Sequence, residues 1–366
     1  MFSLIFAACA AAQSPKLLLS PQHLKRLQRD RERQTDRWLS FEHHVQTVPD
    51  SPERGFELAL YYAVTNDEPQ GREALQWAVS HPCEVRQVAL VIDWVAPLVT
   101  AADRAQVGNR PCPNYHPGRI AQIRDTLFMK TALGETAVSS NPSTTTPDIA
   151  DPDELYAALE FSAAKNARGD FSDTAANYLL SFHPAELDHP NWRQHIIALA
   201  LVSLDPNAQV SQFLQGWAME DRFTIRDGPG VAYEFLWANP YLPGVSYQNM
   251  DPWVYDEKGL LLARGGWSQS ACWIEVTAAA TSQQNCPPGW ESQTVVFGHL
   301  TLIPMTDKCA PVERAADRKE SCILWKLKPH AKVAYTEDNQ SRSSEADAAG
   351  MWRVPSDVGG KVCVHR

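Results

Sequence analysis

Apolar positions recur every three to four residues from about residue 20 to about residue 220. After about residue 258 they alternate singly or form short unbroken runs. The first period belongs to helices with one buried face and the second to strands. Ser20-Pro21 looks like an N-cap followed by proline at the first helical position, opening a heavily charged helix within 15–46 whose apolar face carries Leu24, Leu27, Trp38, Leu39 and Phe41. A second helix is expected over 54–66, with Phe56, Leu60 and Val64 at helical spacing, and a third over GREALQWAVSH. A fourth covers 84–99, where Pro97 should kink or end it. Further helices are expected over 118–134, from an Asp151 or Asp153 cap to residue 167, and in three segments of 171–220. Short loops between such helices imply antiparallel neighbours. Residues 139–152 (SSNPSTTTPDIADP) read as a flexible surface loop.

Strands are expected only after about 258, in GLLLARGGW, ACWIEVTAAA, TVVFGHLTLIP, SCILWKL, AKVAYTE and KVCVHR. They imply an antiparallel sheet or small sandwich. Between the two regimes lies 227–267, which gathers Tyr233, Phe235, Trp237, Tyr241, Tyr247, Trp253, Tyr255 and Trp267. Pro229, Pro240, Pro243 and Pro252 argue against a continuous helix there, so the stretch reads as an extended aromatic connector ending in a strand. Such a connector is a natural ligand groove, or equally the packing that joins two domains.

The chain has 366 residues, beyond the size at which one core keeps growing. The periodicities divide it into a short apolar leader at 1–12, a helical domain at 13–226, the connector at 227–258 and a β domain at 259–366. Phe2–Ala12 ends in small residues before Gln13, which is the pattern of a secretory signal and places the protein in the periplasm or outside the cell. No later apolar run approaches the ~20 residues of a spanning helix. A net charge of −10 argues against a nucleic-acid partner. Of the eight cysteines, Cys272, Cys286, Cys309, Cys322 and Cys363 fall in the last stretch. No CxxC pair occurs, so bridges are expected in the β domain rather than a zinc ribbon. Cys112 with His116, and the adjacent His43 and His44, are too few or too divergent to be a metal site; the latter pair reads as a solvated helix end. No cofactor is implied.

Several stretches together resemble one known group. LLLSPQHLKRL, ALYYAVTNDEP, DWVAPL and the strands GLLLARGGW and ACWIEV are similar to the heparinase II/III-like polysaccharide lyases, over roughly residues 15–305. The resemblance implies an incomplete (α/α) toroid followed by an antiparallel β-sandwich, with polysaccharide or oligosaccharide as the partner. It also implies β-elimination beside a uronate carboxylate: one side chain neutralises the carboxylate, and a Tyr or His moves the proton. By that resemblance Asn191 or His195 neutralises, Tyr241 in NPYLPG is the tyrosine, and His299 in FGHLTLIP is the sandwich histidine. The His-x-Asp spacing of the group's sandwich motif is absent around His299. Tyr233, Trp237 and Tyr247 would offer aromatic faces to sugar, and Arg193, Arg226 and Arg264 would supply cations against the acidic net charge. Two other classes stay open. A binding or scaffold protein would keep the aromatic groove alone. A glycoside hydrolase would need two carboxylates, for which Glu234 and Asp227 are the connector's candidates.

Overall fold

A computed structural model describes residues 16–108, 112, 117–135, 151–165, 171–307, 309–312, 321–337, 340–355, 358 and 360–364. The leader, His116 and most of the 139–152 loop lie outside the described residues.

Helices come first and antiparallel-rich sheets follow. The helices are α1 (Pro21–Glu32), α2 (Asp36–Thr47), α3 (Arg54–Thr65), α4 (Glu68–Ser80), α5 (Val85–Trp94), α6 (Ala101–Gly108), α7 (Arg119–Leu133), α8 (Pro152–Ala164), α9 (Ser172–Ser181), α10 (Pro184–Asp188), α11 (Trp192–Leu204), α12 (Gln209–Ala218) and α13 (Val231–Trp237). The chain forms two compact units. The helical unit takes Met1–Phe171, Trp192–Pro206 and Ala218–Leu242. The sheet-bearing unit takes Ser172–Asn191, Asn207–Trp217 and Pro243–Arg366, so α9, α10 and nearly all of α12 group with the strands.

Within the helical unit, Ser20 caps α1 with Pro21 at its first position, as the sequence suggests. The charged stretch 15–46 is two helices, not one. Gln34 adopts a positive φ of 52°, and the Thr35 N–H bonds back to the Asp30 carbonyl, closing α1. Thr35 then caps α2 by accepting from the Trp38 N–H. His44 is not solvated: it is buried against Glu57, with Nε2 and Oε1 3.0 Å apart. Asp93, set in the apolar run of α5, accepts the N–H groups of Lys16 and Leu17 at 2.8 Å each and pins the segment leading into α1. α5 ends at Trp94 and passes into a short 3-10 turn containing Pro97. Cys83 and Cys112 are bridged.

In the sheet-bearing unit the strands are β1 (Trp253–Asp256), β2 (Leu260–Arg264), β3 (Trp273–Val276), β4 (Thr281–Gln284), β5 (Val295–Phe297), β6 (Leu300–Pro304), β7 (Cys309–Val312), β8 (Ser321–Trp325), β9 (Lys332–Glu337), β10 (Gln340–Glu345), β11 (Trp352–Arg353) and β12 (Gly360–Val364). They form three four-stranded sheets, β1-β2-β3-β4, β11-β8-β6-β5 and β10-β9-β12-β7. Strands begin at Trp253, earlier than expected, because Trp253–Asp256 pairs in register with Leu260–Ala263 around a tight turn. The β11-β8-β6-β5 sheet buries both faces. Leu300, Leu302, Ile323 and Trp325 share a core with β2 and β3, whereas Ile303, Cys322 and Leu324 share another with β7, β9 and β12. That explains the unbroken apolar runs in SCILW and LTLIP. It also fits the parallel pairing of β6 with β8, since parallel strands are covered on both sides.

TVVFGHLTLIP is a hairpin rather than one strand. Phe297 pairs with Leu300 across Gly298-His299, and Gly298 has φ +58°. A Cβ at Gly298 would also sit 2.6 Å from Pro252 Cδ, so glycine is required on two counts. Cys272–Cys286 and Cys309–Cys363 are bridged, the latter joining directly paired residues of β7 and β12. α9 packs on β1 and β2, and Trp273 Nε1 donates to Leu180 O at 2.8 Å.

Candidate functional site

The aromatic connector is not wholly extended. Its four prolines flank 231–237 instead of interrupting it, and that gap folds as α13. All seven residues of α13 are buried. A helix of two turns buried all round sends its side chains to several different partners. Glu234 meets Arg37 and His195, Trp237 meets Tyr156, and Tyr233 faces a pocket.

The first polar assembly runs along α1 and α2. Arg37 Nε donates to Glu234 Oε1 at 2.7 Å, and His195 Nε2 lies 2.9 Å from Glu234 Oε2. Arg37 also lies close enough to Asp30 to favour its charged form. Asp30 Oδ1 accepts from the Tyr241 hydroxyl at 3.3 Å, and Arg33 Nη1 donates to the same phenol oxygen at 2.8 Å. Burial pushes the Asp30 carboxyl up, with Arg26 and Tyr241 opposing it. Tyr241 itself is 57% exposed. The assembly therefore presents an open phenol between a cation and a carboxylate, backed by buried charge.

Arg26 anchors this edge by donating to the carbonyls of Ala238 and Leu236. Its Nη2 lies 2.6 Å from His23 Nε2. Burial, then the Arg26 cation, push His23 down to about 4. The folded state thus binds the His23 proton more weakly than the unfolded chain, whose histidine titrates near 6.5. The stability from the neutral ring is complete above about pH 6.5 and is lost as pH falls toward 4, up to about 3 kcal/mol. Urea unfolding at pH 7 and pH 4.5 should show a smaller difference for His23→Gln than for the native chain; equal differences would reject the assignment.

The second assembly surrounds a pocket of about 230 Å³ in the helical unit. Its floor is an ion cluster. Glu160, fully buried, accepts from Arg86 through Nε at 2.9 Å and Nη2 at 2.6 Å, and from Arg124 Nη1 at 2.8 Å. Arg86 Nη1 reaches Glu53 at 3.0 Å, and Arg124 Nε reaches Asp125 at 2.9 Å. The Arg86 guanidinium lies over the rings of Phe56 and Tyr233, both at 5.2 Å. Burial pushes the Glu160 carboxyl up, but Arg86 and Arg124 outweigh it and hold it below its usual range. Burial, aided by Glu160, pushes Asp125 up to about 7. Glu53 is raised by burial against the pull of Arg86. Trp192 and Tyr233 stack along the wall at 6.1 Å, and Arg193 lies 5.4 Å over Trp192.

The residues singled out from the sequence divide between the two units. In the helical unit His195 and Arg37 meet on Glu234, Tyr241 meets Arg33 and Asp30, and Tyr233 and Arg193 line the pocket. Arg226 is exposed and pairs with Asp221 at 3.0 Å, in the same unit as Asp227. Trp237 is only 3% exposed and donates Nε1 to the Tyr156 oxygen, so it offers no open face. Asn191 is an exposed residue of the sheet-bearing unit that precedes α11. His299 stands at the hairpin tip of that unit with Nδ1 2.7 Å from Asp251 Oδ1, both half-exposed. Arg264, fully buried there, donates to Gly266 O and Phe182 O and lies 4.9 Å over the Trp267 ring; Tyr247 is buried against the same ring.

Arg86, Arg124, Glu53, Glu160, Asp30, Arg33 and Arg37 were not picked out by the sequence. The usable signal was a charge inside an apolar run, as at Glu160 in ALEFSAA, since such a residue is rarely buried without a partner. No family model matches this chain, and no curated protein matches it.

Proposed function

We propose that the chain is an exported, polysaccharide-active protein that cleaves a uronate-containing chain by β-elimination. Its framework is an incomplete (α/α) toroid of helical hairpins followed by a sandwich-like β domain. One observation carries the reading: the exposed Tyr241 phenol held between Arg33 and Asp30. In elimination, the proton α to the uronate carboxylate leaves, the bond to the β-oxygen breaks, and a carbon–carbon double bond forms. Arg33, exposed beside the phenol, neutralises the carboxylate and acidifies that proton. The Tyr241 oxygen takes that proton and returns it to the departing β-oxygen, so the leaving sugar carries a hydroxyl and the side chain ends as it began; Asp30 orients the phenol by accepting its hydrogen bond. The serial packing of α3 on α5, α5 on α7, α7 on α8 and α8 on α11 supports the toroid, and the two cores flanking the β6–β8 sheet support stacked sheets. The three bridges Cys83–Cys112, Cys272–Cys286 and Cys309–Cys363 support export, because disulfides persist in oxidising compartments.

A hydrolase is the second reading, favoured by Glu53 and Asp153, two carboxylates lining the pocket. A panel of uronate and neutral polysaccharides separates the possibilities. Elimination leaves an unsaturated uronate that absorbs in the near ultraviolet. New reducing ends without that absorbance would establish the hydrolase. Retarded migration in affinity gels without cleavage would leave only a binding protein.

A further inference from the structure

The helical unit contains a pocket lined by Glu53, Arg124, Asp153, Trp192, Arg193 and Tyr233 among others. We propose that it is a binding site for one acidic sugar ring, either a free sugar acid or the acidic end unit of a chain. At about 230 Å³ it is smaller than the ~300–1,000 Å³ that encloses drug-sized ligands, so it takes one ring and not a run of them.

Two arginines point the chemistry toward an acid. Arg124 uses Nε on Asp125 and Nη1 on Glu160, which leaves Nη2 without an acceptor among the described residues. Among the described residues Arg193 uses only Nη1, on Asp153. That pair is 56% and 77% exposed, so it is weak and yields readily to a better acceptor. A carboxylate is such an acceptor, because it takes two parallel N–H groups from a guanidinium. Glu53 and Asp153 accept from ring hydroxyls, and the Trp192–Tyr233 stack offers an apolar wall to sugar C–H groups. Arg124 is already oriented by Asp125 and Glu160, so this donor is fixed before ligand arrives.

The inference stands on the pocket's own donors and not on elimination chemistry. Calorimetry with the full chain, at equilibrium and without turnover, tests it separately. The probes are sodium D-glucuronate, D-glucose, and an oligosaccharide whose only acidic unit is its non-reducing end. Glucuronate should bind saturably and D-glucose at least about 10-fold more weakly. Arg193→Gln, at an exposed position that leaves the ion cluster intact, should weaken glucuronate by about 10-fold. Trp192→Ala should weaken it as well. Binding of the oligosaccharide but not of the free acid assigns the pocket to chain ends; binding of both admits either source. Equal affinity for D-glucose, no binding of either acid, or acid binding indifferent to both substitutions would overturn the proposal. Loss of the pocket would leave any ultraviolet-absorbing activity untouched as evidence, and the converse holds too.

Discussion

Glu160→Gln is expected to lower the stability of the helical unit by about 3–5 kcal/mol, the scale of breaking a buried ion pair from one side. Glu160 is fully buried and is the common acceptor of Arg86 and Arg124, each with a side chain only 11% exposed. The amide keeps the shape and one acceptor oxygen but removes the charge. Arg86 would then keep only Glu53, and Arg124 only Asp125, both carboxyls that burial already drives toward the neutral form. Two guanidiniums would sit in a poorly solvated place with too little negative charge to offset them. In a thermal scan the fall should be about 10 °C or more for a unit of this size.

A double-mutant cycle sharpens the test. Arg86→Leu with Glu160→Leu should cost less than the sum of the single changes, with a coupling of about 2 kcal/mol or more. The aromatic bed of Phe56 and Tyr233 under Arg86 accepts an aliphatic side chain as readily as a guanidinium stem. If Glu160→Gln lowers the unfolding free energy by less than about 0.5 kcal/mol, the cluster is hydrated rather than buried.

What the sequence disclosed follows from the range of the interactions concerned. The Ser20 cap, the end of α5 before Pro97 and the choice of Asp151 over Asp153 as a cap are settled within four residues; the first two could be read directly, and the third was left between two neighbours. The break between α1 and α2 is equally local but was hidden, because Gln34 takes the left-handed turn usually given to glycine. Its trace was Thr35 followed by Asp36, a cap with an acidic first turn. α13 was hidden for a different reason. Prolines forbid a helix only where they fall inside it, and Pro229 and Pro240 bracket a proline-free gap. The sites lie at the far end of this scale. Arg86 and Glu160 are 74 residues apart, and Arg33 and Tyr241 are 208. On an amphipathic helix Arg86 and Glu160 look like solvated charges, and only tertiary packing turns them inward; Arg33 and Tyr241 stay exposed and are joined only by the fold. Tyr241, His195 and Glu234 could be named as candidates, but Arg37, which bonds Glu234, and Asp30 and Arg33, which hold the Tyr241 hydroxyl, could not.

Tyr241→Phe should lower turnover by at least about 10²-fold if elimination is the reaction, the usual scale for losing a general acid–base group. The ring is 57% exposed, so the phenylalanine variant keeps its packing and any stacking on sugar. The hydroxyl alone bridges Arg33 at 2.8 Å and Asp30 at 3.3 Å. Its removal costs the fold little, since exposed hydrogen bonds contribute about 1 kcal/mol or less. Affinity measured by gel retardation should therefore stay within about threefold while absorbance falls away. Trp237→Ala provides the contrast. With its indole buried and bonded to Tyr156, this change should destabilise the helical unit by about 3–5 kcal/mol rather than weaken sugar binding selectively. Arg33→Ala should weaken turnover on uronate chains as Tyr241→Phe does, and add a loss of affinity that grows as salt is lowered, because the missing charge is exposed and screened. A Tyr241→Phe protein that still raises ultraviolet absorbance at nearly the native rate would remove Tyr241 from the proton path. The phenol would then be a surface tie between α1 and the segment after α13, and the lyase reading would lose the observation that carries it.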